Sequence, residues 1–133
     1  MKRRILILAT IMVCAMTTSI PALAVTRDVK FVFISTKTNQ TTEAGKKNDS
    51  EQKYYLTISD GSISDKNVFG TRIRCKKNDA MVSPYVLHKS KEQSKAYSYS
   101  ATVNTLDSYY LKGKKDTSST TIVPLTVEGK VTY

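Results

Sequence analysis

From Val29 onward the apolar residues of this chain recur at every second position, and no stretch sustains the three-to-four spacing of an amphipathic helix. Successive side chains of an extended backbone point to opposite faces, so a chain patterned this way buries its apolar groups by forming sheet. Residues 67–77 carry the pattern most fully. Phe69, Thr71, Ile73 and Cys75 share one face, while Arg72, Arg74 and Lys76 share the other. One side of that strand belongs to a core; its reverse is a basic stripe.

Six further segments read as strands on the same ground: residues 29–36, 53–59, 81–88, 96–103, 108–112 and 121–133. Val29, Phe31 and Phe33 align on one face of the first, Tyr54, Leu56 and Ile58 on one face of the second, and Leu125, Val127 and Val131 on one face of the last. Pro84 cannot donate to a ladder, which assigns its segment to an edge or a bulge. Residues 37–52 have no apolar anchor except Ala44 and are expected to form a long, mobile, exposed loop; residues 113–120 are expected to form a second polar loop. Seven short strands joined by turns predict an all-β fold, a small antiparallel β-sandwich of about seven strands, in a single domain over residues 25–133.

Residues 1–24 predict a cleaved signal peptide. Lys2-Arg3-Arg4 precedes an apolar run from Ile5 to Met16, and Ala22-Leu23-Ala24 offers small residues to a signal peptidase. The run is shorter than the roughly 20 apolar residues of a membrane-spanning helix, and no second run follows. The expected product starts at Val25, is secreted to the extracellular space and keeps no transmembrane segment. Val13 stands before Cys14 where a lipidated cysteine takes a small neighbour, which favours ordinary cleavage. Cys75 is then the sole cysteine, so no internal disulfide forms and the domain must hold together by its core. Together with abundant Lys, Asn, Ser and Thr and no tryptophan, this fits a Gram-positive bacterial source.

The formal charge is +10, and loss of the signal leaves about +7. Outside a cell such a charge favours anionic partners, here a cell-envelope component such as a lipid head group or a wall polymer, with nucleic acid met only nonspecifically. The same charge also keeps a small β protein soluble and guards its sheet edges. The candidate surface-binding residues are Arg72, Arg74 and Lys76 on the strand stripe, with Lys112, Lys114 and Lys115 from the neighbouring polar segment. Tyr85, Tyr97, Tyr99, Tyr109 and Tyr110 offer flat faces to a sugar or a head group, or fill the core instead.

Catalytic chemistry finds little support. His88 is the only histidine, and pairing it with Cys75 is disfavoured because Cys75 sits on the face predicted to be buried. No zinc spacing or calcium loop is present, and Asp49, Glu51, Asp60 and Asp65 read as solvated loop acids. No cofactor, metal ligand or catalytic residue is assigned.

Residues 108–114, S-Y-Y-L-K-G-K, and residues 127–133, V-E-G-K-V-T-Y, resemble the closing strands of small secreted Gram-positive proteins that are similar to the lactococcin-type β-sandwich bacteriocins. That family ends in a G-x-W segment, whereas this chain has Gly129-Lys130-Val131. The resemblance implies a β-sandwich that interferes with wall synthesis at the membrane and has no catalytic residues. The expected function is therefore that of a secreted, cationic, non-enzymatic protein acting at the bacterial envelope in a bacteriocin-like manner. The alternative is a wall-associated binding or adhesion module.

Overall fold

The computed structural model describes residues 24–133; residues 1–23, which carry the predicted export signal, lie outside the described residues. The described residues form nine strands and no helix. In chain order these are β1 (Thr26–Phe33), β2 (Asn39–Thr41), β3 (Gly45–Lys46), β4 (Lys53–Gly61), β5 (Phe69–Cys75), β6 (Val86–His88), β7 (Glu92–Ser98), β8 (Ser108–Lys115) and β9 (Leu125–Thr132). They build two antiparallel sheets. The first has the order β1-β9-β4-β7; the second has the order β2-β8-β5-β6, with β3 also on β8.

The period-two pattern decides which side of each sheet is dry. Val29, Phe31 and Phe33 of β1, Tyr54, Leu56 and Ile58 of β4, and Leu125, Val127 and Val131 of β9 are buried from the first sheet. Phe69, Ile73 and Cys75 of β5, with Tyr109 and Leu111 of β8, are buried from the second, and all belong to one apolar cluster. Phe69 meets Phe31 and Phe33 from the opposite sheet at centroid separations of 6.0 and 6.2 Å. This close approach depends on Gly113, which occupies an inward position of β8. A Cβ there would lie 2.6 Å from Phe69 and 2.9 Å from Phe31, closer than carbon atoms pack.

Several expectations are corrected here, among them the strand expected at 96–103, which runs over Glu92–Ser98 instead. Residues 37–52 are not an exposed loop: they contribute β2 and β3, which raises the strand count from seven to nine. The segment adheres through its backbone rather than through apolar side chains. Thr42 N–H donates to Leu111 O at 3.0 Å and Lys47 N–H to Asp107 O at 2.9 Å, and such bonds leave no trace in hydropathy. Lys47 is fully buried, with Nζ donating to Asp49 Oδ1 at 2.8 Å and lying 5.5 Å from the Tyr99 ring. Residues 113–115 are likewise strand rather than loop, because β8 continues to Lys115 opposite Phe69. Pro84 interrupts the segment predicted at 81–88, of which β6 keeps only three residues and an isolated bridge joins Met81 to Arg74.

Gly113→Ala should destabilise the protein by about 1–3 kcal/mol through overpacking. Combining it with Phe31→Leu should recover part of that loss, because the second change vacates the space that the new methyl needs. Urea unfolding of the two single variants and the double variant checks this.

Candidate functional site

The ladder between β5 and β8 sets Gly70 opposite Lys114, Arg72 opposite Lys112 and Arg74 opposite Tyr110. The neighbours of these positions in each strand are core residues, so the six named here lie on the outer face of the second sheet. Four of them, Arg72, Arg74, Lys112 and Lys114, line a concavity of about 320 Å³ together with Asn39, Tyr85 and Gly113. Four cationic side chains thus converge on one depression.

Gly70 gives this depression its aromatic wall. The Tyr85 ring lies across the sheet at Gly70, where a Cβ would fall 1.7 Å from the Tyr85 hydroxyl oxygen. Arg72 Cζ and Lys114 Nζ lie 5.6 and 5.4 Å from the ring centroid, within the range of cation–π attraction. The Tyr85 hydroxyl donates to Asp116 Oδ2 at 2.7 Å. Burial, reinforced by that carboxylate, holds the hydroxyl well above the usual tyrosine range.

The charges here are partly offset by two carboxylates, Asp79 beside Arg74 and Asp116 at Tyr85. Arg74 Nη1 donates to Asp79 O at 2.8 Å and Oδ2 at 3.1 Å, and Asp79 also accepts a hydrogen bond from the Tyr110 hydroxyl. The bond from Tyr110, with lesser help from Arg74 and Lys112, keeps the Asp79 carboxyl below its ordinary range. Among the described residues no ion pair includes Arg72, Lys112 or Lys114. The Nε atoms of Arg72 and Arg74 are buried without a hydrogen-bond partner. Arg72 and Lys112 are directly opposed like charges, an arrangement that weakens a ladder.

Of the six residues singled out from sequence, Arg72, Arg74, Lys112 and Lys114 come together here. Lys76 lies apart, beside a second depression of about 300 Å³ that it shares with Tyr110, Asp79 and Thr41. Lys115 is a correction. Its position on β8 has the same parity as Leu111 and Gly113, so it points inward, is only 3% exposed, and donates from Nζ to Thr121 O at 2.8 Å and Val123 O at 2.7 Å. Extending the strand past Lys112 and counting parity would have revealed this. Tyr85 and Tyr110 reach the cationic face, Tyr109 is buried in the core, and Tyr97 and Tyr99 pack half-buried against it.

No family model, no curated protein and no solved structure matches the chain.

A second polar constellation lies between the sheets. His88 Nδ1 is 2.7 Å from Glu92 Oε1, His88 Nε2 is 2.8 Å from Thr71 Oγ1, and the Tyr97 hydroxyl donates to Glu92 Oε2 at 2.6 Å. The carboxylate fixes the imidazole proton on Nδ1, so in the neutral ring Nε2 accepts from the Thr71 hydroxyl. The order hydroxyl, imidazole, carboxylate is that of a nucleophile relay. Thr71 is completely buried, however, and lines neither the cationic depression nor the one beside Lys76. The group ties β6 of one sheet to β7 of the other. Burial works against ionisation of Glu92, but the bonds from His88 and Tyr97 outweigh it and hold the carboxyl below its usual range. Among the described residues no group of three or more His, Cys, Asp or Glu side chains gathers to hold a metal ion.

Lys115→Met should lower stability by about 1–3 kcal/mol, because it strips two loop carbonyls of their donor, whereas Lys114→Met should be nearly neutral. Thermal unfolding of both variants checks the difference. A folded-state carboxyl pKa below the unfolded value of about 4.3 stabilises the protein above that pH, and the gain is lost as pH falls through the folded value. Melting temperature measured from pH 6 to pH 2 should accordingly fall less steeply for Glu92→Gln than for the parent, from a lower starting point.

Proposed function

We propose that the chain is a secreted, cationic β-sandwich without enzymatic activity that binds an anionic component of the bacterial envelope through the outer face of its second sheet, in a bacteriocin-like role. The observation that carries this reading is the opposition of Arg72 and Lys112 across β5 and β8, with Lys114 beside them and, among the described residues, no ion pair that includes any of the three. A surface shaped only for solubility has no reason to place like charges in the register where they repel. An anionic ligand relieves that repulsion, and guanidinium N–H groups suit phosphate or carboxylate oxygens; Nη1 of Arg72 donates to Met81 Sδ, which fixes the plane of the group. The enclosed position of Thr71, His88 and Glu92 supports the non-enzymatic part of the reading.

A wall-associated binding module is the second reading. It is favoured by the tyrosine faces, since Tyr85 and Tyr110 lie beside the cations and suit a sugar-phosphate polymer. Growth inhibition of Gram-positive cells by the purified protein separates the two roles, since the module binds without killing.

Lys112→Glu is the discriminating variant. It replaces a repulsive cross-strand pair by an attractive one, so stability should hold or rise by up to about 1 kcal/mol. Binding to phosphatidylglycerol vesicles and to teichoic acid should weaken about tenfold, and binding by the parent should fall steeply with added salt. Salt-insensitive binding, or a variant that binds as tightly as the parent, would assign the charge to solubility alone.

A further inference from the structure

One end of the molecule presents apolar side chains that nothing in the fold covers. Ile122 is 97% exposed, Ile34 77% and Val123 53%. The register pairs Phe33 with Leu125, so Ile34, which follows β1, and Ile122-Val123, which precede β9, project from the same end. Three large aliphatic side chains gathered at one tip lose free energy to water that burial would recover.

The tip is held outward by a specific device. The loop before β9 passes over the end of β8, where the buried Lys115 ammonium donates to the carbonyls of Thr121 and Val123. Thr120 and Thr121 N–H groups donate to Lys66 O from the other side, at 2.9 and 3.2 Å. Bonds on both flanks of Ile122 fix its backbone, and its side chain stands 97% exposed.

The cationic depression lies on the outer face of the second sheet and extends toward this end at Lys114. Lys114 adjoins the clamping Lys115, and Asn39, which lines the depression, pairs with Lys114. The Gln40 side chain next to it donates to Val32 O at 2.6 Å, joining that edge to the strand that ends at Ile34. The rim of the basic concavity is thus linked through β2 to the strand that runs to the apolar tip.

Resting on the envelope-binding reading above, we propose that this end docks on a lipid bilayer, with Ile34, Ile122 and Val123 inserted among the acyl chains and the concavity seated on anionic head groups. Aliphatic side chains flanked by Lys and Arg match the layered chemistry of a membrane interface, apolar below and anionic above. A wall polymer engages the cations but offers the aliphatic tip no apolar phase. Charge complementarity calls for an anionic partner, and the exposed aliphatic tip favours a lipid surface over a soluble polyanion.

The chain has no tryptophan, so Ile122→Trp introduces the sole indole at a position that supports no packing. With vesicles of equal parts phosphatidylglycerol and phosphatidylcholine, its emission should shift to the blue and be quenched by lipids brominated in the acyl chain. Leu106→Trp, an exposed position at the opposite end before β8, should show neither change. Ile122→Ser should weaken vesicle binding by about tenfold and leave binding to teichoic acid unaltered. Co-sedimentation with the vesicles but no emission change at position 122 overturns the insertion and leaves the envelope-binding reading intact. Failure to bind either vesicles or teichoic acid overturns both. An equal shift at positions 106 and 122 overturns the orientation, and a dimer that Ile122→Ser dissolves would give the tip to a second copy instead.

Discussion

The register between β5 and β8 is the constraint on which the molecule turns. With Ile73 opposite Leu111 and Thr71 opposite Gly113, each inward position of one strand faces an inward position of the other. A slip by one residue would send Arg72 and Arg74 into the core and turn Phe69 and Ile73 outward, a change that costs far more than any local adjustment recovers. Gly113 reinforces the choice by leaving room for the phenylalanine rings that join the two sheets. Ile73 N–H adds a bond of 2.8 Å to Ser83 Oγ from the segment leading into β6. The gathering of Arg72, Arg74, Lys112 and Lys114 on one face follows from the same register, so core and candidate site are two sides of one pairing.

What was legible in the sequence was parity within a strand. The alternation from Phe69 to Cys75 identified both the buried face and the basic one, and the burial of Cys75 follows from it. What was illegible came from contacts between distant segments. Residues 39–46 join the sheet by backbone bonds to β8, which side-chain chemistry does not advertise. His88 finds Thr71 and Glu92 because β5, β6 and β7 converge there, and no local spacing announces the group. Tyr85 reaches the site because Gly70 leaves the sheet surface open, a relation between residues fifteen positions apart. Lys115 misled for another reason: lysine is a surface residue by habit, and parity placed it inside regardless.

Two lysines are buried among the described residues, and the fold treats them differently. Lys47 is neutralised by Asp49, a carboxylate two residues away, so removing that carboxylate would strand a buried charge at a cost of about 2–4 kcal/mol. Lys115 has only backbone carbonyls as acceptors. The first secures the segment carrying β3 at the end of the molecule where β8 begins, and the second secures the loop before β9 where β8 finishes. Ammonium groups with several donors fasten irregular backbone at both ends, where regular ladders run out.

The borders of the two sheets have a bearing on crowding. One border of the second sheet is split between β2 and β3, and the other is the three-residue β6. In the first sheet β7 is broken by a register shift against β4 and by Ser94 in a left-handed conformation, while β1 carries Arg27, Asp28 and Lys30. Molecules confined to a plane meet edge to edge far more often than molecules in solution, and an uninterrupted strand at the border would template the next copy into a growing ribbon. Interrupted and charged borders let neighbours slide past one another, so a dense film of this protein on a surface would remain a two-dimensional fluid of separate molecules.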